Sequence, residues 1–212
     1  MAERTIIEKS ADGFVVRFSD DSILIKDLRA SYPHCVTPQK GWVDKEGKPV
    51  PPSYSVTGIM PKDTHRAGAA LLSKIMKEML AAENKGADIK ADAKFVRDGN
   101  LSGKEMYKGA YTISARQSVD RPPYCRAADG RTPLVSPRDD KAIYGGCYIN
   151  MIVRPWWQSN ASGKRINANL LGVQKTRDGE PFGEGSISAE VIDETFGDES
   201  SPADWADDTD GL

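Results

Sequence analysis

The sequence predicts a mainly β domain in the form of a small barrel, with one α-helix inserted between strands and a disordered acidic tail at the C-terminus. Three observations lead to this fold class. Short apolar or alternating segments, separated by turn residues, recur along most of the chain, as they do in small barrels. A single segment repeats its apolar residues with helical spacing. The last fifteen residues are acidic and contain one Trp and one Leu, too few large apolar side chains to form a core.

The first half of the chain contains four predicted strands. Segments 4–8 and 13–18 have the composition of short strands, and segment 23–28 follows an acidic turn. Residues 29–53 are rich in Pro, Gly and Lys, so we expect a long basic loop there. The fourth strand is predicted over 54–60.

One helix is predicted after the fourth strand. Its apolar residues recur every four positions from Ala67 to Met79, which indicates one buried face. Asp63 or Thr64 can cap its start, and Gly86 ends it. We expect this face to pack on the sheet.

The second half of the chain is rich in predicted strands. We expect them over 106–114, 142–154 and 165–175, with loops of Pro, Gly and Asp between them. The sequence has no internal repeat. Several short strands joined by long loops favour one small barrel over two domains.

The charges are separated along the chain. Residues 178–212 contain twelve acidic residues and no Lys or Arg, whereas residues 1–177 carry all 29 Lys and Arg against nineteen Asp and Glu. The body therefore has a formal charge of +10, the acidic segment −12, and the whole chain −2. A basic surface attracts a polyanion such as nucleic acid, and an acidic arm can compete with that polyanion or recruit a basic partner.

We place the boundary between a folded domain, 1–185, and the acidic tail, 186–212. Trp205 is a lone aromatic residue within this tail, which favours docking to a partner over a place in a core. The residues of this tail predicted to contact a partner protein are Asp204, Trp205, Asp207, Asp208 and Asp210.

Cysteine usage and the chain start indicate the compartment. Cys35, Cys125 and Cys147 form an odd set without C-x-x-C spacing, which favours a reducing environment. The N-terminus lacks the apolar region of a secretory signal, and the longest apolar stretch, 147–153, is too short to cross a bilayer. We therefore expect a soluble, intracellular protein.

The sequence carries no recognisable catalytic constellation. The two histidines, His34 and His65, lack a second Cys/His pair with zinc spacing. Segment 99–104 resembles a phosphate loop but is one residue short and is followed by Glu rather than Ser or Thr, so a turn before a strand is the better interpretation. Asp139 and Asp140 could share a metal, but adjacent acids in a loop usually form a solvated turn. We predict no enzyme, no cofactor and no metal site.

Aromatic and cationic residues are interleaved in several segments. Single-stranded nucleic acid is held by Lys and Arg on phosphates and by aromatic rings stacked on bases. The predicted stacking residues are Tyr32, Trp42, Trp156 and Trp157, with Tyr107 or Tyr111 behind them. The predicted phosphate contacts are Arg29, Lys40, Lys62, Arg116, Arg126, Arg131, Arg154, Lys164 and Arg165.

Two aromatic pairs also have structural interpretations. Tyr107 and Tyr111 are four residues apart and would share one face of a strand, so one of them can belong to the core. Trp156 and Trp157 are adjacent and cannot both face inward from a strand, so we expect one to be exposed.

Three motifs in order resemble a family of bacteriophage single-stranded DNA-binding proteins with an OB-fold. They are R-x-S-Y-P at 29–33, Y-x-G-C-Y-x-N at 144–150 and N-x-x-L-x-x-x-Q-K-x-R-D-G at 167–179. The similarity extends over about 22–185, and the strands before it look like an addition.

This resemblance implies an OB-fold-like barrel that binds single strands without sequence preference. It implies a role in phage DNA replication, recombination or repair, in the cytoplasm of the infected bacterial host. The charge plan also resembles that of other single-strand binders, which implies that the acidic tail contacts a replication or recombination protein such as a polymerase or helicase. It also adds Lys175 and Arg177 to the predicted DNA contacts.

Three other functions remain open from the sequence. A strand-annealing recombination mediator would also bind single strands but would promote the pairing of complementary ones. A small metal-dependent nuclease using Asp139 and Asp140 would cleave DNA with magnesium. A structural protein of the virion would show no salt-sensitive DNA affinity.

Overall fold

The computed structural model describes residues 4–43, 47, 49–161 and 163–182. The chain separates into two units, Met1–Pro181 and Phe182–Leu212. All secondary structure below belongs to the first unit. The predicted tail contacts at Asp204, Trp205, Asp207, Asp208 and Asp210 lie outside the described residues.

The described residues contain one α-helix, α1 (Arg66–Glu83), and eleven strands. The strands are β1 (Ile6–Lys9), β2 (Val15–Phe18), β3 (Ile23–Gln39), β4 (Trp42–Val43), β5 (Pro49–Val50), β6 (Ser53–Pro61), β7 (Val96–Asp98), β8 (Ala110–Ser118), β9 (Tyr124–Arg126), β10 (Tyr148–Asn160) and β11 (Gly163–Arg177). The 3-10 helices are Ala91–Ala93, Gly99–Ser102, Glu105–Tyr107 and Pro137–Ala142.

Five strands of this part of the chain close into a barrel. Neighbours are hydrogen-bonded in the order β3–β10–β11–β8–β6, and β6 pairs again with β3. All these pairs are antiparallel except β8 with β11, which is parallel. A five-stranded Greek-key barrel is the OB-fold architecture. The structure therefore confirms the predicted mainly β, OB-fold-like barrel with one inserted helix.

The barrel interior is filled by the alternate residues of each strand. On β11, for example, Ile166, Ala168 and Leu170 are buried in the core, whereas Asn167 and Asn169 between them point away from it. Side chains of a strand alternate between its two faces, so apolar residues at every second position close the core and polar ones cover the outside.

Shorter strands extend the sheet around the barrel. The hairpin β1–β2 pairs with the first half of β3, β7 pairs with β8, and β9 pairs in parallel with β11. Strands β4 and β5 form a separate small sheet.

The predicted basic loop at 29–53 is wrong over its first part, because β3 continues to Gln39. The prolines Pro33 and Pro38 suggested a loop, since proline removes a ladder donor. The pairing with β6 skips these positions through irregular registers on both sides of His34. The strand therefore tolerates both prolines.

The predicted helix is confirmed as α1, with Leu71, Leu72, Ile75 and Leu80 buried against the barrel core. Its start differs from the prediction, because the N-cap residue is His65 and makes no side-chain capping bond. A carboxylate from the N-terminal hairpin region takes that role instead.

Asp12 caps α1 from a distant part of the chain. The Gly68 amide donates to Asp12 Oδ2 over 2.7 Å, and Asp12 Oδ1 accepts from Ser10 and Phe14. Together these hydrogen bonds outweigh desolvation and lower the pKa of the Asp12 carboxyl. The carboxylate also complements the positive end of the helix dipole.

Two predicted strands begin later than expected. Strand β8 starts at Ala110 rather than 106, because Glu105–Tyr107 forms a 3-10 turn. Strand β10 starts at Tyr148 rather than 142, because Gly146 takes a positive φ of 110° that interrupts the extended chain. Tyr107 therefore does not share a strand with Tyr111, contrary to the prediction.

Among the described residues, no helix is long and apolar enough to span a membrane. Cys35, Cys125 and Cys147 are buried free thiols. Burial raises the pKa of the Cys125 thiol to about 12.

Core side chains pack closely against Gly58 of β6. A Cβ at this position would lie 2.6 Å from Leu28 Cδ1 and 2.8 Å from Met151 Sδ. We predict that Gly58→Ala lowers the free energy of unfolding by about 1–3 kcal/mol, the usual range for overpacking a core. Urea denaturation measures this loss.

The compensating variant is Leu28→Val. In the Gly58→Ala background it removes the nearest colliding atom and should restore part of the stability, whereas alone it should destabilise. A Gly58→Ala protein as stable as the parent would contradict this description of the core.

Candidate nucleic-acid interface

An open groove of about 1110 Å³ runs across the outside of the barrel. Its lining comes mainly from β3, β6, β8, β10 and β11, with further residues from β7, from the turn before β8 and from the segments that flank β6, β7 and β8. The groove is therefore built mainly on paired strands, which fix the positions of its side chains.

The floor of the groove is polar because of strand alternation. On β6 the outward residues are Ser55 and Thr57, which pair directly with Arg116 and Ser114 of β8. The Thr57 and Ser114 hydroxyls lie 3.2 Å apart. Hydroxyl groups at these positions can hydrogen-bond a ligand without holding a charge of their own.

The same pattern continues on β10 and β11. Asn167 of β11 is opposite Trp156 of β10, and its side-chain amide donates to Gln158 Oε1 over 2.9 Å. Asn169 is paired with Arg116 across the parallel β8–β11 contact. Both neighbouring strand pairs therefore contribute outward polar side chains to the groove.

Tyr32 is an exposed aromatic residue at one wall of the groove. Its side chain is 57% exposed, and its backbone has a positive φ of 46°, which is uncommon for a residue other than glycine. This conformation lies where the β3–β6 register shifts, just after Ser31. The distorted strand leaves the ring outside the core.

Lys104 holds one side of the Tyr32 ring. The Lys104 ammonium lies 4.2 Å from the ring centroid and donates to the Tyr32 hydroxyl over 3.0 Å. This hydrogen bond raises the pKa of the Lys104 ammonium, because it favours the charged form. A ring held beside a positive charge can stack on a base while the charge contacts the adjacent phosphate.

Two tryptophans complete the aromatic set. Trp156 lines the groove and is 40% exposed. Trp42 is 38% exposed, and the Arg116 guanidinium lies 5.5 Å from its ring centroid. Because Arg116 itself lines the groove, this contact places Trp42 at the groove margin. Partly exposed indole rings offer faces for stacking.

Positive charge gathers beside these rings. Arg97 donates to the Lys94 carbonyl over 2.8 Å, and Arg165 donates to the Asp92 carbonyl over 3.2 Å. Burial lowers the pKa of Arg97, and the nearby Arg165 charge lowers it further. Arginine side chains carry their positive charge at neutral pH in proteins.

The groove cations are not matched by acids. The described cationic lining residues are Arg97, Lys104, Arg116 and Arg165, against one acidic lining residue, Asp120. Within the described part of the chain, no salt bridge joins these four cations to a carboxylate. Their charge is therefore free to attract an anion.

The structure brings several sequence-predicted residues together at this groove. Tyr32, Arg116, Trp156 and Arg165 line it, and Trp42 contacts Arg116. Lys40 is exposed and follows the lining residue Gln39. These residues come from positions 32 to 165, so only the fold could assemble them.

Several predicted cations have other partners and do not line the groove. Lys62 forms a salt bridge of 2.6 Å with Asp98, and its hydrogen bond lowers the pKa of that carboxyl. Arg154 pairs with Asp20 over 3.1 Å in the turn before β3. Lys164 donates to Asn84 Oδ1 over 2.7 Å. We leave these three out of the site.

Three predicted aromatic residues are also placed elsewhere. Tyr107 is buried, and its hydroxyl lies 2.9 Å from Ser31 Oγ, so it supports the wall of the barrel. Tyr111 lies under Lys62, whose ammonium is 4.9 Å from its ring centroid. Trp157 packs against the core while Trp156 is exposed, as expected for adjacent strand residues.

The residues of the first and third sequence motifs form a second cluster around Tyr148. The guanidinium groups of Arg177 and Arg29 lie 3.5 and 5.8 Å from the Tyr148 ring centroid. Arg177 also pairs with Asp27, and Lys175 pairs with Asp178. None of these residues is part of the groove lining.

Arg126 and Arg131 lie beside β11 at a third place. Arg126 is on β9, opposite Gln174, and Arg131 is exposed in the loop that follows. They are separate from the groove lining.

Sequence reasoning missed Lys104, Arg97 and the polar floor. Lys104 is the last residue of segment 99–104, which we interpreted as a turn before a strand rather than a phosphate loop. Gly99–Ser102 of this segment forms a 3-10 turn. The sequence does contain the pattern that builds the groove floor, because the polar residues Arg165, Asn167 and Asn169 alternate with apolar residues that are buried. That pattern identifies an outward face, although it does not identify a ligand.

Asp139 and Asp140, the residues of the nuclease alternative, are engaged with backbone amides. Asp139 accepts from Val135 and Ser136, and Asp140 accepts from Thr37 over 3.2 Å. The described residues include no group of three or more His, Cys, Asp or Glu side chains arranged to hold a metal.

Comparison with known proteins identifies relatives of this chain. Residues 21–205 match the protein-family model described as "Enterobacter phage Enc34, ssDNA-binding protein". Protein p50 of Acyrthosiphon pisum secondary endosymbiont phage 1 is 35% identical over 100 residues, 47% of this chain and 51% of p50. The match therefore spans about half the length of that curated relative.

Two solved structures of the single-stranded DNA-binding protein from bacteriophage Enc34 are similar to this chain. One is 33% identical, with a TM-score of 0.73, and the alignment covers 90% of this chain and 98% of the other. The second contains the same protein in complex with ssDNA and is 34% identical, with a TM-score of 0.74 and coverage of 86% and 100%.

These matches confirm the resemblance that the three sequence motifs indicated. The family match begins at residue 21, directly after the β1–β2 hairpin, and continues over most of the chain. The chain therefore belongs to the family of the ssDNA-binding protein of Enterobacter phage Enc34.

Proposed function

We propose that this protein coats single-stranded DNA without sequence preference and that the groove is its binding surface. The observation that carries this proposal is the set of exposed rings and unpaired cations on the polar face of the barrel. Tyr32, Trp42 and Trp156 would stack on bases, while Lys104 and Arg116 would contact phosphates. A solved relative in complex with ssDNA supports the choice of ligand.

Lack of sequence preference follows from the kinds of contact. Every base has a π-face, so stacking on an aromatic ring tolerates any base. Phosphate contacts carry no sequence information. The hydroxyl and amide groups of Ser55, Thr57 and Asn167 can each donate or accept, so they adapt to different base edges.

The protein would act by mass action rather than by catalysis. Binding only the open strand lowers the free energy of that form and shifts fraying duplex ends and hairpins towards it. Asp139 and Asp140 accept hydrogen bonds from backbone amides, which supports a structural role for these acids in their turn over the nuclease alternative. In the infected bacterial cytoplasm such a protein would serve phage DNA replication, recombination or repair.

If the groove binds DNA, substituting an arginine inside it and an arginine outside it should change the DNA affinity differently. Arg116→Gln should weaken binding to oligo-dT and reduce the slope of log affinity against log salt by about 0.7, the value for one phosphate contact on a single strand. Arg154→Gln should leave both quantities unchanged, because Arg154 is paired with Asp20 outside the groove. Fluorescence anisotropy over a range of salt concentrations measures both.

Equal effects of the two arginine substitutions would overturn the assignment of the groove. Trp156→Ala is the matching aromatic test and should weaken binding about 5- to 150-fold, the equivalent of about 1–3 kcal/mol for one stacked base. The parent and all variants should unfold at similar temperatures, since these residues are partly exposed.

We further propose that the acidic tail competes with DNA for the basic body and recruits replication or recombination proteins. The support is the charge separation along the sequence. To remove the tail we start the deletion after Phe182, three residues before the predicted boundary, because Asp178 pairs with Lys175 and the Glu180 carbonyl accepts from Arg29. Residues 183–212 contain ten acidic residues and no Lys or Arg, so deleting them changes the formal charge from −2 to +8.

Deletion of residues 183–212 should tighten ssDNA binding at low salt, and the gain should shrink as salt rises, because both competitors are electrostatic. A matched variant keeps the length and replaces the ten acids with Asn or Gln, and it should behave like the deletion. Unchanged affinity of both variants at low salt would exclude competition. If the deletion tightens binding but the full-length variant with Asn and Gln does not, the effect is due to the length of the tail and not to its charge.

A further inference from the structure

The surface beside the groove carries another exposed aromatic residue in an open, basic setting. Tyr124 on β9 is 75% exposed, more than any of the three rings of the groove. It lies outside the groove lining. An aromatic ring this exposed offers a face on which a base can stack.

Tyr124 is held by a rigid element. Cys125, the next residue, is buried, its thiol donates to the Cys35 carbonyl over 3.3 Å, and its carbonyl accepts from Leu134 over 3.1 Å. Since adjacent strand residues face opposite ways, the inward Cys125 turns Tyr124 outward. Pro122 and Pro123 precede it and restrict the chain that enters β9.

Tyr124 lies opposite a glycine. Its partner across the β9–β11 contact is Gly172, which has no side chain. A Cβ at Gly172 would lie 3.1 Å from the Tyr124 carbonyl oxygen and 3.9 Å from Tyr124 Cβ. Glycine at this position therefore lets β9 approach β11 without crowding Tyr124.

The position of Tyr124 continues the line of the groove. Strand β11 passes from Asn169 in the groove to Gly172 opposite Tyr124, three residues further along. At about 3.3 Å per residue the two points are about 10 Å apart on the same strand. A DNA single strand that leaves the groove along β11 would therefore reach Tyr124 next.

Three arginines lie on β9 or in the loops on either side of it. Arg126 donates to the Cys125 carbonyl over 3.1 Å, and Arg121 and Arg131 are exposed in the flanking loops. The turn that carries Arg131 is fixed by Asp129, whose carboxylate accepts from the Arg131 and Thr132 amides. No salt bridge within the described chain joins the three arginines to a carboxylate.

We propose that Tyr124 is an additional base-stacking site that extends the DNA path beyond the groove, with Arg121, Arg126 and Arg131 as its phosphate contacts. The proposal rests on the proposed function, because it assigns a second part of the same ligand. It predicts two ranges of oligonucleotide length. Short strands fill the groove alone, and longer strands also reach Tyr124.

The test is a series of oligo-dT lengths titrated into the full-length protein. In the parent, affinity should rise again once the strand is long enough to leave the groove. Tyr124→Ala should abolish this second rise and weaken binding of long oligonucleotides about 5- to 150-fold, as expected for one lost stacking contact. Its affinity for the shortest binding oligonucleotide should be unchanged.

Two control variants accompany Tyr124→Ala. Tyr124→Phe keeps the ring and should keep the parent affinity at every length. Ile6→Ala truncates another exposed apolar side chain, 62% exposed on β1, and should have no effect at any length. Circular dichroism checks that each variant is folded.

The outcomes separate this proposal from the proposed function. If Trp156→Ala weakens binding but Tyr124→Ala binds long strands like the parent, only the extension is overturned. If Tyr124→Ala loses equal affinity for short and long strands, Tyr124 is not a separate site and the extension is overturned too. If neither variant changes binding to any strand, the groove itself is the wrong surface.

Discussion

The structure depends on the pairing of β3 with both β10 and β6, which closes five strands into a barrel. Closure forces every strand to divide its residues between an apolar interior and an outside surface. On β11 this division buries the side chains of Ile166 and Ala168 in the core and turns those of Asn167 and Asn169 outward. The same alternation of side chains therefore supplies both the apolar core that stabilises the fold and the polar groups that line the groove.

The irregular part of β3 gives the groove its exposed ring. The register shift after Ser31 and the positive φ of Tyr32 set this residue outside the ladder, where Lys104 fixes its ring. Backbone strain of this kind is commonly retained at functional sites. The neighbouring positive charges, on Arg97 and Arg165, are held by backbone carbonyls rather than by acids, so the groove keeps its attraction for anions.

Regular strands and the helix were predictable from the sequence, because their apolar spacing reports one buried face. Strand β3 was not, since Pro33 and Pro38 give the composition of a loop. The exposure of Trp156 could be suspected from its neighbour Trp157, but the partner of Arg154 could not, because Asp20 is 134 residues away in the chain. Sequence shows which cations lie near aromatics, and only the fold shows which cations are already paired.

Tryptophan fluorescence during titration tests the central claim most directly, since Trp42 and Trp156 lie at the groove with partly exposed rings. Titration with oligo-dT and oligo-dA should quench the fluorescence strongly and to a similar extent, and added salt should reverse it. The matching duplex should have little effect, because its bases are already stacked on one another. Equal quenching by duplex and single strand, or none by either single strand at low salt, would contradict binding through stacking in the groove.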